Sequence, residues 1–221
     1  MRLSGTLFKQ APSRLSLIVT TAGLFLWFVA LILVTIPFWP QVWYRLRPQT
    51  SQQLAGVLVE GAGISANSVA SESATEKTRT LPPFDPSLPR ENGVTIIKIG
   101  VSTQIREGKD PYAVLREGVW RVPEFGTPEF AKRPMILAAH RFGYLDWSQQ
   151  FRVRNSFFNL PKLKQGDSVE VIWNQRKYTY EIAGSYEGEQ ITDYSPDLIL
   201  YTCKLFNSPV RIFYYANLRE A

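Results

Sequence analysis

The sequence predicts a mainly β protein, a closed or nearly closed barrel of seven or eight short strands with few helices, preceded by one long apolar helix. Three observations support this prediction. Residues 15–38 form a continuous apolar run, residues 48–80 have the composition of a tether, and residues 90–221 alternate short β-prone runs with turn signals. A length of 221 residues fits one ordinary domain with an additional segment, or two small domains.

The apolar run from Leu15 to Phe38 predicts a transmembrane helix. Its 24 residues carry no formal charge, and at the helical rise they extend roughly 36 Å, enough to cross a hydrocarbon core of about 30 Å. The aromatic residues that follow are typical of an interfacial belt: Trp39, Trp43 and Tyr44. The alternative, a cleaved signal peptide, normally has an apolar core of about 7–15 residues and a small-x-small cleavage site, so we expect an uncleaved anchor.

The flanking charges predict the orientation of this helix. Three basic residues precede the apolar run and two follow it closely, which favours a cytoplasmic N-terminus and places the bulk of the chain outside the cell membrane. The predicted organisation is a cytoplasmic N-terminus (1–14), a transmembrane signal anchor (15–38), a juxtamembrane segment with a flexible linker (39–80) and a β-barrel domain (81–221).

The barrel prediction depends on seven runs of β-prone residues. They are Val94–Val101, Val119–Val122, Met135–Ala139, Ser168–Trp173, Lys177–Ala183, Leu198–Cys203 and Arg211–Leu218. Polar and apolar residues alternate from Lys177 to Ile182, which indicates a half-buried strand. Leu198–Tyr201 is apolar throughout and predicts a central strand covered on both faces. The best short helix is Asn155–Leu160.

Charge and composition exclude several functions. The net charge is +6, but residues 1–80 contribute +4 (7 basic, 3 acidic) and residues 81–221 only +2 (18 basic, 16 acidic), so the folded part has no concentrated basic face for nucleic acid. A single Cys excludes an intrachain disulfide framework. One Cys and one His are too few for a structural zinc site with four nitrogen or sulfur ligands.

Three residues are candidates for covalent chemistry. His140 and Cys203 each follow a strongly apolar strand, and strand ends that open into loops often carry catalytic groups. Arg211 begins the next strand after a seven-residue connection, so an antiparallel hairpin would place it roughly opposite Cys203. Taken singly, His140 is equally consistent with a hydrogen-bonded core residue, Cys203 with an inert buried thiol, and Arg211 with a solvated strand terminus.

If the three converge, they have the chemistry of acyl transfer. A thiolate attacks an amide carbonyl. A nearby imidazole favours the thiolate and, as imidazolium, protonates the leaving amine. A guanidinium donates to the developing oxyanion or fixes the substrate backbone. This scheme requires no metal, and with one His in the chain it has no substitute base for His140.

Residues 88–218 resemble the sortases, membrane-anchored cysteine transpeptidases that have an eight-stranded β-barrel. Five segments carry the resemblance in the order typical of the family. They are Ile96–Val101, similar to I-P-K-I-G-V; Ala139–Arg141, similar to G-H-R; Phe158–Val171, similar to F-x-x-L-x-x-L-x-x-G-D; Ile199–Cys203, similar to T-L-x-T-C; and Arg211-Ile212, similar to R-I/L/V. Ala139 stands where the family usually has Gly, and Ile199 where it usually has Thr.

The resemblance implies that Cys203 cleaves an LPXTG-like C-terminal sorting signal through a thioacyl-enzyme. The acyl group would pass to an amine nucleophile such as a cell-wall peptide or a pilin lysine. It implies His140 as general acid/base and Arg211 as the group that orients the signal or stabilises the oxyanion. Thr202 would contribute to substrate placement, together with its motif neighbours Ala139 and Arg141. The implied location is the cell membrane, with a single span, the N-terminus inside and the barrel outside, which agrees with the charge reading.

Three further segments bear on which kind of sortase the chain resembles. The connection from Ala183 to Asp197 leaves little room for the extra helix of some sortases, which favours a housekeeping-like or single-substrate anchoring enzyme. The resemblance makes Ca²⁺ binding at Glu187, Glu189 and Asp193 an option, whereas the chain's own pattern indicates a solvated acidic loop. The stiff run Pro82–Pro89 is either a cover for the site or an ordinary extended segment.

Two other functions compete with this interpretation. L,D-type envelope transpeptidases also use Cys, His and Arg, but they usually carry an Arg within two residues after the Cys, where this chain has Lys204-Leu205. A catalytically silent, membrane-tethered barrel that binds peptides or scaffolds an envelope complex would not require the three reactive positions to be filled together.

Overall fold

The computed structural model describes residues 14–35, 80–130, 132–206 and 208–219, with side chains described for residues 19–33 of the first range. The chain divides into two compact units, Met1–Leu46 and Arg47–Ala221. The predicted cytoplasmic segment up to residue 13, the interfacial aromatics and most of the linker lie outside the described residues.

In the first unit, the helix α1 spans Arg14–Thr35. Several of its apolar side chains are exposed, among them Leu24 and Trp27. Among the described residues, the structure contains no helix that is both long and apolar enough to cross a bilayer. The transmembrane span predicted for residues 15–38 is therefore not confirmed.

The second unit is a closed barrel, and the described residues contain eight strands. These are β1 Gly93–Ile96, β2 Val101–Arg106, β3 Val119–Arg121, β4 Met135–Ala138, β5 Ser168–Trp173, β6 Arg176–Gly188, β7 Leu198–Cys203 and β8 Arg211–Leu218. Around the barrel the order is β1-β2-β3-β4-β7-β8-β6-β5, and β5 pairs with β1 to close it. The pairs β2–β3 and β4–β7 are parallel and the others are antiparallel. The mainly β prediction is confirmed.

Two buried clusters hold this barrel together. One fills the interior with alternate residues from strands all around it, such as Val94, Val171 and Leu200. The other covers the outer face of β4, β7 and β8 and contains Ile199 and Tyr201. Since successive residues of a strand point to opposite faces, β7 contributes to both clusters and is buried along its whole length, as predicted.

The first predicted strand, Val94–Val101, is wrong as one continuous element. The chain reverses within it, because Ile97–Ile99 form a 3-10 turn that ends at Gly100 in the left-handed region, with φ 77°. The reversal makes β1 and β2 an antiparallel hairpin in which Ile96 pairs with Val101. The apolar side chain of Ile97 is 81% exposed at this turn, so it misled the strand prediction.

The helix prediction for Asn155–Leu160 is also wrong. The helix α3 spans Gln149–Asn155 and begins where the Ser148 hydroxyl accepts a hydrogen bond from the amide of Phe151. It ends where the predicted helix was to begin, and a 3-10 turn follows at Leu160–Lys162. An unpredicted helix, α2, spans Pro111–Glu117, with the Asp110 carboxylate accepting from two amides of its first turn.

The Pro-rich segment before β1 lies on the turn between β5 and β6. The amide of Asp85 donates to the carbonyl of Gln175 (2.9 Å), and the Gln175 side chain donates to the carbonyl of Leu88 (3.0 Å). This turn is at the start of β6, whereas the end of β6, at Gly188, pairs with Arg211. Residues 82–89 therefore lie at the end of β6 remote from Arg211 and do not cover it.

Candidate active site

The antiparallel pairing of β7 and β8 places Cys203 directly opposite Arg211. The sequence-based prediction of this pairing is confirmed. The seven-residue connection is closed at its base by a hydrogen bond from the Lys204 amide to the Val210 carbonyl (2.9 Å). Opposed residues of an antiparallel pair share one face, so the thiol and the guanidinium stem lie on the same side of the sheet.

The parallel pairing of β4 and β7 brings His140 to the level of Cys203. The register aligns Ala138 with Tyr201, and both strands continue two residues further in the same direction. The pairing persists beyond the strand ends, because the Ala139 amide donates to the Tyr201 carbonyl (3.4 Å) and the Thr202 hydroxyl donates to the Ala139 carbonyl (2.7 Å). His140 thus lies two residues beyond the end of β4, beside the end of β7.

Four of the six predicted site residues fall into two groups in the barrel. Cys203 belongs to the outer cluster, and Arg211 shares its face of the sheet. Ala139 belongs to the interior cluster, and the hydroxyl of Thr202 is already bonded to its carbonyl. The Thr202 side chain and the Ala139 backbone therefore hold the ends of β4 and β7 together.

The candidate residues His140, Cys203 and Arg211 are almost completely buried. Exposed fractions are 1% for His140, 1% for Cys203 and 3% for Arg211. Tyr144 stands edge-on to the imidazole, with ring centroids 5.3 Å apart, and Trp147 does so at 6.1 Å. In the described part of the chain, Nε2 of His140 has no hydrogen-bond partner.

Burial sets the ionisation of the two titratable groups. Loss of hydration lowers the pKa of His140 to about 4. Loss of hydration also raises the pKa of the Cys203 thiol to about 11, although the charges of Arg211 and Arg141 oppose this rise. At pH 7 the resting site therefore contains a neutral imidazole and a neutral thiol.

Two arginines fasten the loops around the thiol. Nη1 of Arg211 donates to the carbonyl of Pro209 (2.7 Å) and to that of Glu189, so it links the connections on both sides of β7. Nη1 of Arg141 donates to the carbonyl of Lys204, just after the thiol. The Arg141 guanidinium also lies 5.3 Å from the centre of the Phe142 ring. Positive charge is thus fixed on two sides of Cys203.

The acidic side chains proposed for calcium make separate contacts. Glu187 forms an ion pair with Lys204 (2.5 Å), and Asp193 accepts from the amide of Ser195 (2.8 Å). Glu189 contributes its backbone carbonyl to Arg211. Within the described ranges, no three His, Cys, Asp or Glu side chains are grouped so that they would hold a metal ion. The prediction of a solvated acidic loop, with calcium binding as its alternative, is not tested.

Sequence reasoning missed the residues that cover His140. Tyr144 and Trp147 contact its ring, and Arg116 contacts both from the distant helix α2. The sequence did contain one signal for this cover: an aromatic-rich loop directly follows the single His of the chain. The part played by α2 had no sequence signal, because α2 itself was not predicted.

The fold and the site define a β-barrel that places a thiol, an imidazole and a guanidinium at neighbouring strand ends. The family model for the sortase domain matches residues 94–219, more than half of the chain. The chain therefore belongs to the sortase family of cysteine transpeptidases, which act on sorting signals and amine acceptors. No curated protein matches the chain.

Three sortase structures are among the solved structures similar to this chain. Sortase C1 of group B Streptococcus (GBS) pilus island 1 is 18% identical with a TM-score of 0.50, over 79% of this chain and 91% of that one. Sortase C2 of the same pilus island is 17% identical with a TM-score of 0.48, over 78% and 98%. Sortase A from Corynebacterium diphtheriae is 18% identical with a TM-score of 0.49, over 60% of this chain and 62% of that one. The chain thus spans less than two thirds of the corynebacterial protein.

Proposed function

We propose that this chain is a sorting enzyme that cleaves an LPXTG-like C-terminal signal and transfers the protein to an amine of the cell envelope. The observation that supports this most is the strand register. It pairs Cys203 with Arg211 and brings His140, two residues beyond the end of β4, to the same level, so the three groups that acyl transfer requires lie at neighbouring strand ends.

Cys203 is the nucleophile in this proposal. Its sulfur attacks the scissile carbonyl, the thiol proton passes to Nε2 of His140, and the carbon–nitrogen bond breaks as the imidazolium returns that proton to the leaving amine. The product is a thioester between Cys203 and the acyl fragment. Because burial raises the pKa of the Cys203 thiol, the sulfur becomes a nucleophile only as its proton passes to His140.

Arg211 supplies fixed positive charge beside the reacting sulfur. Its charge already lowers the pKa of Cys203 against the effect of burial. The tetrahedral intermediate carries negative charge on the former carbonyl oxygen, and a guanidinium held by the Pro209 and Glu189 carbonyls would stabilise that charge without reorganising. Arg141, on the other side of the thiol, and Thr202 would assist by holding the surrounding backbone.

The second half-reaction would use an amine such as a cell-wall peptide or a pilin lysine. Neutral His140 accepts a proton from the incoming amine as its nitrogen attacks the thioester, and the imidazolium returns that proton to the Cys203 sulfur as the carbon–sulfur bond breaks. The proposed location is the outer side of the cell membrane, with residues 15–38 as a single-span anchor and the N-terminus inside. The uncharged apolar run and the exposed apolar side chains of α1 support this part of the proposal.

The test is a cleavage and transfer assay with the full chain. A panel of LPXTG-like peptides is incubated with and without an amine acceptor, and wild type is compared with Cys203→Ala. We expect cleavage that depends on Cys203 and product that moves to the amine when it is present. Cleavage that survives in Cys203→Ala would exclude this residue as nucleophile.

A silent peptide-binding barrel is the second candidate. The observation that favours it is the nearly complete burial of His140, Cys203 and Arg211. The two candidates differ in thiol chemistry, which a small electrophile such as iodoacetamide reports without any knowledge of the substrate. In the sorting enzyme, His140→Ala slows alkylation of Cys203 at pH 7. In the silent barrel, the same substitution leaves the rate of Cys203 alkylation unchanged, or raises it by opening the site to solvent.

A further inference from the structure

The loop that follows β4 forms a cap over His140. It consists of residues 141–148, between the end of β4 and the start of α3. Tyr144 and Trp147 from this cap contact the imidazole edge-on, and they also contact one another, with ring centroids 5.3 Å apart. Edge-to-face contacts fix the orientation of a ring as well as burying it. The cap therefore determines where the imidazole points.

Arg116 of α2 attaches the cap to that helix. The guanidinium of Arg116, in the last turn of α2, lies 4.8 Å from the centre of the Tyr144 ring. The same guanidinium pairs with Asp146 at 2.7 Å, and the Arg116 carbonyl accepts a hydrogen bond from the indole of Trp147 at 3.1 Å. Arg116 thus contacts three cap residues, two of which touch His140.

The conformation of the cap leaves little space for movement of the indole. Gly143 has φ 69°, and a Cβ there would lie 2.2 Å from the Trp147 ring. On its other side, the indole packs on Phe151 of α3, with ring centroids 4.9 Å apart. The backbone approaches the indole at Gly143 because glycine has no Cβ and tolerates this φ.

We propose that Arg116 is a positioning residue, which holds the imidazole of His140 in its reactive orientation by fixing Tyr144 and Trp147. The inference rests on the proposed function, since orientation matters only if His140 moves protons. It also explains how an imidazole whose Nε2 lacks a hydrogen-bond partner in the described residues keeps one orientation: aromatic packing takes the place of a carboxylate or amide partner.

Charged or titratable side chains lie near His140 on four elements. Arg116 and Asp146 lie beyond Tyr144, from α2 and from the cap. Arg152 of α3 donates to the carbonyl of Tyr144 at 3.3 Å. Cys203 ends the neighbouring strand. Burial is the cause of the low pKa of His140, so a loosened cap that admits water should return this pKa toward its ordinary value.

The test compares Arg116→Met with Glu117→Gln in the full chain. Glu117 is the adjacent residue of α2, is similarly exposed (60% against 56%), and forms an ion pair of similar length with Arg106 (2.8 Å), but has no described contact with the cap. Two readouts are measured: kcat and KM for peptide transfer, and the pH titration of the [¹³Cε1]histidine signal. The chain has one His, so without an added tag that signal reports His140 alone.

We expect Arg116→Met to lower kcat about three- to tenfold with KM within about twofold, the size of one lost cation–π contact and one exposed ion pair. The pKa of His140 should rise by about one unit as water reaches the ring. Arg116→Lys keeps a cation near Tyr144 and Asp146 and should restore at least half of the lost kcat. Trp147→Phe, which removes the indole donor but retains a ring, should show the same pattern as Arg116→Met.

Other results would overturn the proposal. One is a His140 pKa in Arg116→Met equal to that in Glu117→Gln. Another is an equal loss of kcat in both variants, which indicates a general effect on α2. If wild type transfers no peptide, the proposed function fails, but the titration of His140 still tests its positioning. A His140 pKa that rises in Arg116→Met but not in Glu117→Gln supports the positioning. An unchanged His140 pKa in Arg116→Met rejects the positioning as well.

Discussion

Acid should destabilise this protein through His140 before its carboxylates titrate. The group has an ordinary pKa of 6.5 in the unfolded chain and about 4 in the folded chain because of burial. Between these values the unfolded state binds more protons, so stability falls as pH decreases through this window. Moving from pH 7 to pH 5 should cost about 2 kcal/mol, because the proton-binding polynomial of His140 in the unfolded chain grows by a factor of roughly 25.

The assay is urea denaturation of the full chain at pH 7, 6 and 5, with His140→Gln as the matched variant. Glutamine does not titrate, and no other His is present, so the difference between the two proteins isolates the His140 contribution. Two carboxyls have a lowered pKa in the folded chain: Asp85, because of its hydrogen bonds with Ser87, and Asp167, because of its hydrogen bond with Lys98. Their contribution to the free energy of unfolding changes at lower pH than that of His140. We expect the wild-type free energy of unfolding to fall by about 2 kcal/mol more than that of the variant. A difference that stays constant from pH 7 to pH 5 would refute the assignment of a buried, neutral imidazole.

Three further predictions follow from the site. Because burial raises the pKa of Cys203 to about 11, its alkylation by iodoacetamide in the folded chain should keep accelerating above pH 9, whereas in urea it should level off near the ordinary value; equal profiles would contradict thiol burial. Arg211→Lys should lower kcat at least tenfold, since an ammonium is a point charge that does not reproduce the planar guanidinium fork, and near-normal kinetics would reduce Arg211 to a structural role. Gly143→Ala should destabilise the protein by about 1–3 kcal/mol in urea denaturation, because the added methyl meets the Trp147 ring; an unchanged midpoint would show that the cap is loose.

The pairing of Cys203 with Arg211 was predictable because both lie in apolar, β-prone runs whose ends are visible in the sequence. A seven-residue connection leaves few registers for a hairpin, so the two residues were expected to face each other. The central position of β7 was predictable for a similar reason, since a strand without polar alternation must be covered on both faces.

The errors occur where local pattern and tertiary environment disagree. Ile97 is apolar but exposed, because the chain turns at Gly100, so two strands were read as one. Phe157 and Leu160 have the spacing of a helix face, but both are buried in the barrel core after α3 has ended. In each case, packing overrode the local propensity.

The cap over His140 was beyond sequence reasoning for a different reason. Its attachment joins Arg116 to Asp146, thirty residues apart, across elements that no periodicity connects. Burial of the reactive groups was equally invisible, because a His and a Cys at strand ends are compatible with open or closed sites. The ionisation states at rest depend on that burial, and they required the structure.

The claim that Cys203 carries the acyl group is tested most directly by the intact mass of the full chain during turnover. With an LPXTG-like peptide and no amine acceptor, wild type should gain the mass of the N-terminal peptide fragment less one water, as a thioester forms. Since the chain has one Cys, the adduct can be assigned to Cys203 by its absence in Cys203→Ala. Addition of an amine should discharge it and release the transfer product. Transfer product that forms without this adduct, or in Cys203→Ala, would contradict the account.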